Sequence, residues 1–316
     1  MEYFLLLLGF GLLIKGADYF VEGSSNLATL MRVSPMIIGL TIVAFGTSSP
    51  EATVSIIAAI NGNADISLGN VVGSNIFNLT LVVGLAAFLY PLKVENETIR
   101  KEIPFTLLAS VALLIFMSDV TLQGFMNNFI TRSDGLTLLL FFAIFMYYVL
   151  EVARNRRQTV EEGEKTNLAW GKNIFLTVIG LGAIILGGEL VVSNSKKIAY
   201  ALGMSETLVG LTIVAVGTSL PELVTSVTAA LKKKSEIAIG NIVGSNIFNI
   251  LLVLGISSSI TPLAVNGKVF VDVIIMIFFT FVLLIFSRTK YRIGKTEGLI
   301  LAVSYVAYLT YIILRN

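Results

Sequence analysis

The sequence predicts an all-α membrane protein: ten transmembrane helices in two inverted five-helix repeats, with helices 2, 3, 7 and 8 broken near mid-membrane. Three observations predict it. Of 316 residues, 55% are hydrophobic and 13% charged, with a mean hydropathy of +0.88; that charged share is about half the usual one for a soluble domain. Apolar stretches recur near the ~20 residues needed to span a bilayer. The chain also matches itself at a shift of about 171 positions.

The spans fall near residues 2–22, 35–60, 66–91, 103–118, 135–153, 173–193, 206–230, 236–261, 269–287 and 297–314. The first has no basic stretch before it and no small-residue cleavage site, so it reads as a membrane helix that stays. A charged stretch over 154–172 reads as a linker between a first repeat at 1–153 and an inverted second repeat at 173–316. Loops assigned alternately to two sides carry roughly 16 Lys and Arg against 5. By the positive-inside rule the rich side is cytoplasmic, which puts the linker inside and both termini outside a cell membrane.

The duplication is clearest where residues 39–78 align with 210–249, with roughly 24 of 40 positions identical. The matches include Gly, Pro, Glu, Asn, Ser and Thr, which apolar composition does not produce by chance. Five spans per half is an odd number, so the second half enters the membrane from the opposite side. That is the inverted-repeat architecture of many secondary transporters.

Composition narrows the chemistry. With no Cys and no His, disulfides, thiol nucleophiles, structural zinc sites and His-based acid–base catalysis are absent. A hydroxyl nucleophile would lack its base, so a membrane enzyme is disfavoured and no cofactor is implied. A net charge of +2 gives no basic surface for nucleic acid. The lipid bilayer is the one macroscopic partner implied, and no protein partner is. Carboxylates, amides, hydroxyls and carbonyls remain, and these are ligands of hard cations such as Ca²⁺ and Na⁺.

Two motifs gather those ligands. GLTIVAFGTSSPE ends at Glu51 and GLTIVAVGTSLPE at Glu222, each inside an apolar span. A carboxylate at bilayer depth costs a few kcal/mol on insertion scales, ~2.5–3.5 at the centre, so two at equivalent positions mark a function. Thr47 and Glu51 are four apart and share a helix face, as do Thr218 and Glu222. Pro50 cannot donate to the carbonyl of Gly46, nor Pro221 to that of Gly217. The expected result is a broken helix with free carbonyls near Ala44 to Gly46 and Ala215 to Gly217, lining a mid-membrane ion site.

The second motif, GNVVGSNIFN, covers 69–78 and returns as GNIVGSNIFN at 240–249. Its GxxxG face lets helices approach closely. Ser74 and Asn78, like Ser245 and Asn249, are four apart and read as lining the same site. For Asn70, Asn75, Asn241 and Asn246, gluing helices together competes with lining. Lys15 reads as pairing with Asp18 or snorkelling. Asp18, Glu22, Glu189 and Asp272 read as structural or interfacial, and the run from Lys232 to Lys234 as a topology signal near anionic lipid.

The paired motifs resemble the two alpha repeats of the cation/Ca²⁺ antiporter superfamily, and in particular the prokaryotic-type sodium/calcium exchangers. Proton/calcium exchangers of that superfamily tend to carry a GN-x-x-E pattern that this chain lacks there. The resemblance implies Na⁺/Ca²⁺ antiport by alternating access. It makes Glu51 and Glu222 the central Ca²⁺ ligands, with Thr47 and Thr218 adding oxygens. Ser48, Ser219, Ser74 and Ser245 would line Na⁺ sites, Ala44 and Ala215 would offer carbonyls, and Asn78 and Asn249 would complete the cluster. Potassium-dependent relatives place Asp at the equivalent of the last position, so two Asn argue against K⁺ cotransport. H⁺ in place of Na⁺ as the coupling ion is the alternative on the same fold, and a cation channel is a further one.

Overall fold

The computed structural model describes residues 2–155, 169–203 and 215–315. It is a mostly helical protein. Among the described residues, seven helices are long and apolar enough to cross a membrane: α1 (Glu2–Met31), α4 (Ala64–Leu89), α7 (Arg132–Asn155), α8 (Trp170–Ala201), α10 (Ser235–Ile260), α11 (Gly267–Arg288) and α12 (Lys295–Arg315). The pair α2 (Pro35–Thr47) and α3 (Ser49–Ile60), bent by 50° at Ser48, makes an eighth. Shorter helices are α5 (Ile103–Phe116), α6 (Asp119–Gln123) and α9 (Leu220–Leu231). The expected span at 103–118 is thus a 14-residue helix preceded by a π turn over Thr98–Glu102. Of the expected span at 206–230, residues 206–214 lie outside the described residues, as do 156–168 of the expected linker.

One expectation is corrected. The third and eighth expected helices are not broken. α4 runs through a π turn at Asn78–Val82, and α10 through one at Phe248–Val253. Neither stretch contains proline, and a glycine alone costs a helix only about 1 kcal/mol. The strain is absorbed as one wide turn, a feature that recurs at functional sites. These two helices are the centre of the molecule: 78% and 94% of their most apolar stretches are buried, against 17% for α7.

α1 extends to Met31, nine residues beyond the expected span, because the polar run Glu22 to Asn26 continues the helix. It packs antiparallel along α8. A Cβ on Gly9 would lie 2.9 Å from Gly187 O, and one on Gly16 would lie 2.8 Å from Gly180 O. Only hydrogen at these positions lets the two backbones meet. Two small antiparallel ladders join loops of the two halves: β1 (Leu92–Lys93) with β4 (Arg292–Ile293), and β2 (Phe129–Ile130) with β3 (Leu263–Ala264).

The duplicated segments sit in unlike surroundings. Gly240 and Gly244 press on the backbone of α2: an added Cβ would meet Met36 O at 2.8 Å and Leu40 O at 2.8 Å respectively. Their counterparts Gly69 and Gly73 line a cavity of about 480 Å³ with Asn70, Ser74 and Asp65, and the segment corresponding to 36–40, residues 207–211, lies outside the described residues. Where both counterparts are described the difference is plain. α1 packs on α9, where Lys232 Nζ reaches Asp18 Oδ1 at 2.6 Å. Between the counterparts α8 and α3 lies a cavity of about 620 Å³, with Glu189 and Thr53 on its wall. Lys15, exposed on α1, is therefore not the partner of Asp18.

Candidate ion-binding site

The site is built where the bent pair α2–α3 and the start of α9 meet α4 and α10. At Ser48 the backbone leaves helical geometry (φ −80°, ψ 3°), and Pro50 stands in the first turn of α3, where its missing N–H does no harm. Ser219 and Pro221 repeat this at the start of α9. Glu51 and Glu222 therefore occupy first turns of helices, whose N-terminal dipole ends favour a negative charge. Both are completely buried.

The halves exchange hydrogen bonds across the centre. Ser48 Oγ donates to Glu222 Oε1 at 2.9 Å, and Ser219 Oγ donates to Glu51 Oε1 at 2.9 Å. Each of these bonds becomes the other when 171 is added to one residue and subtracted from its partner. Others obey the same relation. Thr47 Oγ1 is 3.0 Å from Asn241 Oδ1, and Thr218 Oγ1 is 3.4 Å from Asn70 Oδ1. Asn70 Nδ2 donates to Ser55 Oγ and Asn241 Nδ2 to Ser226 Oγ, both at 2.9 Å. Ser74 Oγ lies 3.0 Å from Ser219 Oγ, while Thr47 and Ser245 lie against Glu222.

Four carboxylate and amide oxygens of this cluster are buried without a hydrogen-bond partner, Glu51 Oε2, Glu222 Oε2, Asn78 Oδ1 and Asn249 Oδ1, as is the hydroxyl oxygen of Ser245. Each such group costs about 1–3 kcal/mol when left unsatisfied. Four in one symmetric cluster form a set of bare acceptors, which is what a hard cation takes up. Among the described residues no group of three or more His, Cys, Asp or Glu stands together. Any cation bound here would therefore draw its ligands beyond the two carboxylates from neutral oxygens.

The structure thus brings together Thr47, Ser48, Glu51, Ser74, Asn78, Ser219, Glu222, Ser245 and Asn249. Thr218 is half-buried and opens on the 620 Å³ cavity. The carbonyl of Ala44 is not free as expected: it accepts the N–H of Ser48 at 3.0 Å, since the helix holds through Thr47 and breaks one residue later. The backbone of Ala215 opens the single turn Ala215–Gly217. The reading of single motifs missed Ser55 and Ser226, which fix Asn70 and Asn241. Their signal was present: each lies four residues after its Glu and is duplicated.

Comparison with known proteins identifies the family. The family model described as "Sodium/calcium exchanger protein" matches residues 1–151 and 172–314. A putative antiporter CaxA of Alkalimonas amylolytica is 39% identical over 96% of this chain and 96% of its own length. The sodium/calcium exchanger MaX1 of Methanosarcina acetivorans is 36% identical over 98% and 97%. Among solved structures, the sodium-calcium exchanger NCX_Mj soaked with 2.5 mM Na⁺ and 10 mM Sr²⁺ superposes with a TM-score of 0.84 at 32% identity, covering 98% of both chains. Matched in sequence and in fold over nearly its whole length, this multi-pass membrane protein belongs to the sodium/calcium exchanger family.

Proposed function

We propose that the chain is a secondary antiporter that exchanges Na⁺ for Ca²⁺ across the membrane, independently of K⁺, by alternating access to a site centred on Glu51 and Glu222. The observation that carries this reading is the set of four bare, buried oxygens contributed equally by the two halves. Thr47, Ser48, Ser74, Thr218, Ser219 and Ser245 line the site, and the backbones of Ala44 and Ala215 flank it. One Ca²⁺, or two Na⁺, brings the charge of the two carboxylates to zero. The empty site carries two buried charges and resists closing over, because unpaired charge away from water is costly. Exchange rather than leak follows from that difference.

The architecture proposed is ten spans in two inverted repeats, 1–153 and 173–316, joined by a cytoplasmic linker at 154–172 with both termini outside. It is supported by hydrogen bonds that interconvert under the 171-residue shift. Alternating access is supported by the unequal surroundings of the repeats. The face carrying Lys232 is closed, with α1 on α9 and Gly240 on α2. The face carrying Lys196 opens through the cavity between α8 and α3 that reaches Thr218. In an inverted repeat, each half can take up the packing of the other, and the cycle exchanges the two.

The test is Na⁺-gradient-driven ⁴⁵Ca²⁺ uptake into proteoliposomes. Uptake by the parent is expected to be abolished in Glu51→Gln and in Glu222→Gln. Full uptake in both variants would sink the assignment, and uptake driven by a pH gradient without Na⁺ would replace Na⁺ by H⁺.

A further inference from the structure

Four buried asparagines face one another across the central helices: Asn75 and Asn78 on α4, Asn246 and Asn249 on α10. An asparagine amide has an oxygen end and an NH₂ end of nearly the same shape, so only its neighbours decide which end points where. Here the decision can be followed from a group that has no choice. The backbone oxygen of Asn246 can only accept, and Asn75 Nδ2 lies 3.3 Å from it. Asn75 Oδ1 is thereby turned the other way, where it accepts from Asn249 Nδ2 at 3.1 Å. With its NH₂ end engaged, Asn249 is left with a bare, buried Oδ1. The counterpart chain is Asn246 Oδ1 accepting from Asn78 Nδ2 at 3.2 Å, which leaves Asn78 Oδ1 bare in the same way.

We infer that Asn75 and Asn246 are positioning residues of the ion site: they fix the polarity of the Asn249 and Asn78 amides so that both offer oxygen, not N–H, to the cation. This rests on the site proposed above. The consequence of losing the orienter is specific. A reversed amide would aim two N–H donors at a cation, so a freely turning one spends part of its time repelling it. The two orienters are also unequal. Asn75 is anchored on a backbone oxygen, whereas Asn246 Nδ2 has no partner. Asn249 is therefore held more firmly than Asn78.

A double-mutant cycle on the purified full chain tests this, with ⁴⁵Ca²⁺ binding and thermal unfolding as readouts. Asn75→Ala is expected to weaken Ca²⁺ binding about tenfold. A carboxylate at position 249 has no NH₂ end to misplace, and it would set an oxygen against Asn75 Oδ1. In the Asn249→Asp background, Asn75→Ala is therefore expected to cause no loss, or a gain. Asn246→Ala, with and without Asn78→Asp, should repeat the pattern with a smaller first step, and it stands in if Asn75→Ala does not fold. Equal losses in both backgrounds, tracking melting temperature, would make the asparagines mere helix glue and overturn the inference. Unchanged binding in Asn75→Ala would also overturn it. Glu51→Gln run alongside separates the levels: if it binds Ca²⁺ like the parent, the site itself is misassigned and both fall.

Discussion

Gly240→Ala is the sharpest perturbation of the packing around the site. An added Cβ there would lie 2.8 Å from Met36 O, 2.9 Å from Gly39 Cα and 3.0 Å from Leu40 N. All three are backbone atoms and none can swing aside. Overpacking of this kind costs about 1–3 kcal/mol. Helix propensity returns at most ~1 kcal/mol of that, so the net loss is up to about 2 kcal/mol. The expected outcome is a lower melting temperature of the purified full chain in detergent, with ⁴⁵Ca²⁺ uptake into proteoliposomes reduced. A parental melting temperature in Gly240→Ala would refute the close approach of α10 to α2.

Three further outcomes can be checked. Gly180→Ala would bring a Cβ to 2.8 Å from Gly16 O, so it should destabilise the α1–α8 pair by about 1–3 kcal/mol, read as a lower melting temperature in detergent. Arg315→Ala strands Asp272, which the guanidinium now grips through two bonds of 2.9 Å at 17% and 13% exposure; a loss of about 3 kcal/mol in stability is expected, and Asp272→Asn added to it should recover part. Lys232→Asn gives the closed face the residue that Asn61 supplies on the open one. The pair with Asp18 is partly exposed and worth at most about 1 kcal/mol, so the apparent Ca²⁺ affinity of the Lys232 face in oriented vesicles should rise by no more than about fivefold.

What the sequence made legible follows from duplication and local spacing. Glu51 and Glu222 stood out because a buried carboxylate is costly and appeared twice. Ser48 and Ser219, Asn78 and Asn249 followed from the same alignment. What it hid depends on contacts between distant segments. Asp18 has Lys15 three residues away, yet pairs with Lys232, 214 positions along the chain. Glu102 gave no periodic signal, and its partner Tyr148 comes from another helix. A break was expected in α4, but without proline the helix needs only a π turn at Asn78 to pass the site. The packing of α1 on α9, where the counterparts α8 and α3 leave a cavity, was beyond any alignment, since duplicated segments cannot announce that they stand in different surroundings.

Duplication is also why the proposed ion site takes the form it does. A cluster made by two copies of one motif receives charges in pairs, here one carboxylate from each half. Two charges match one Ca²⁺ without remainder, and two monovalent ions equally well. A third carboxylate would break the match for Ca²⁺, leaving a buried negative charge once the site closed. The remaining ligands are then best supplied by dipoles that add no charge, and the bare oxygens of Asn78 and Asn249 are such dipoles. A dipole attracts a cation from one end only. Charge neutrality at the centre thus makes the orientation of the amides matter, and with it Asn75 and Asn246 at its edge.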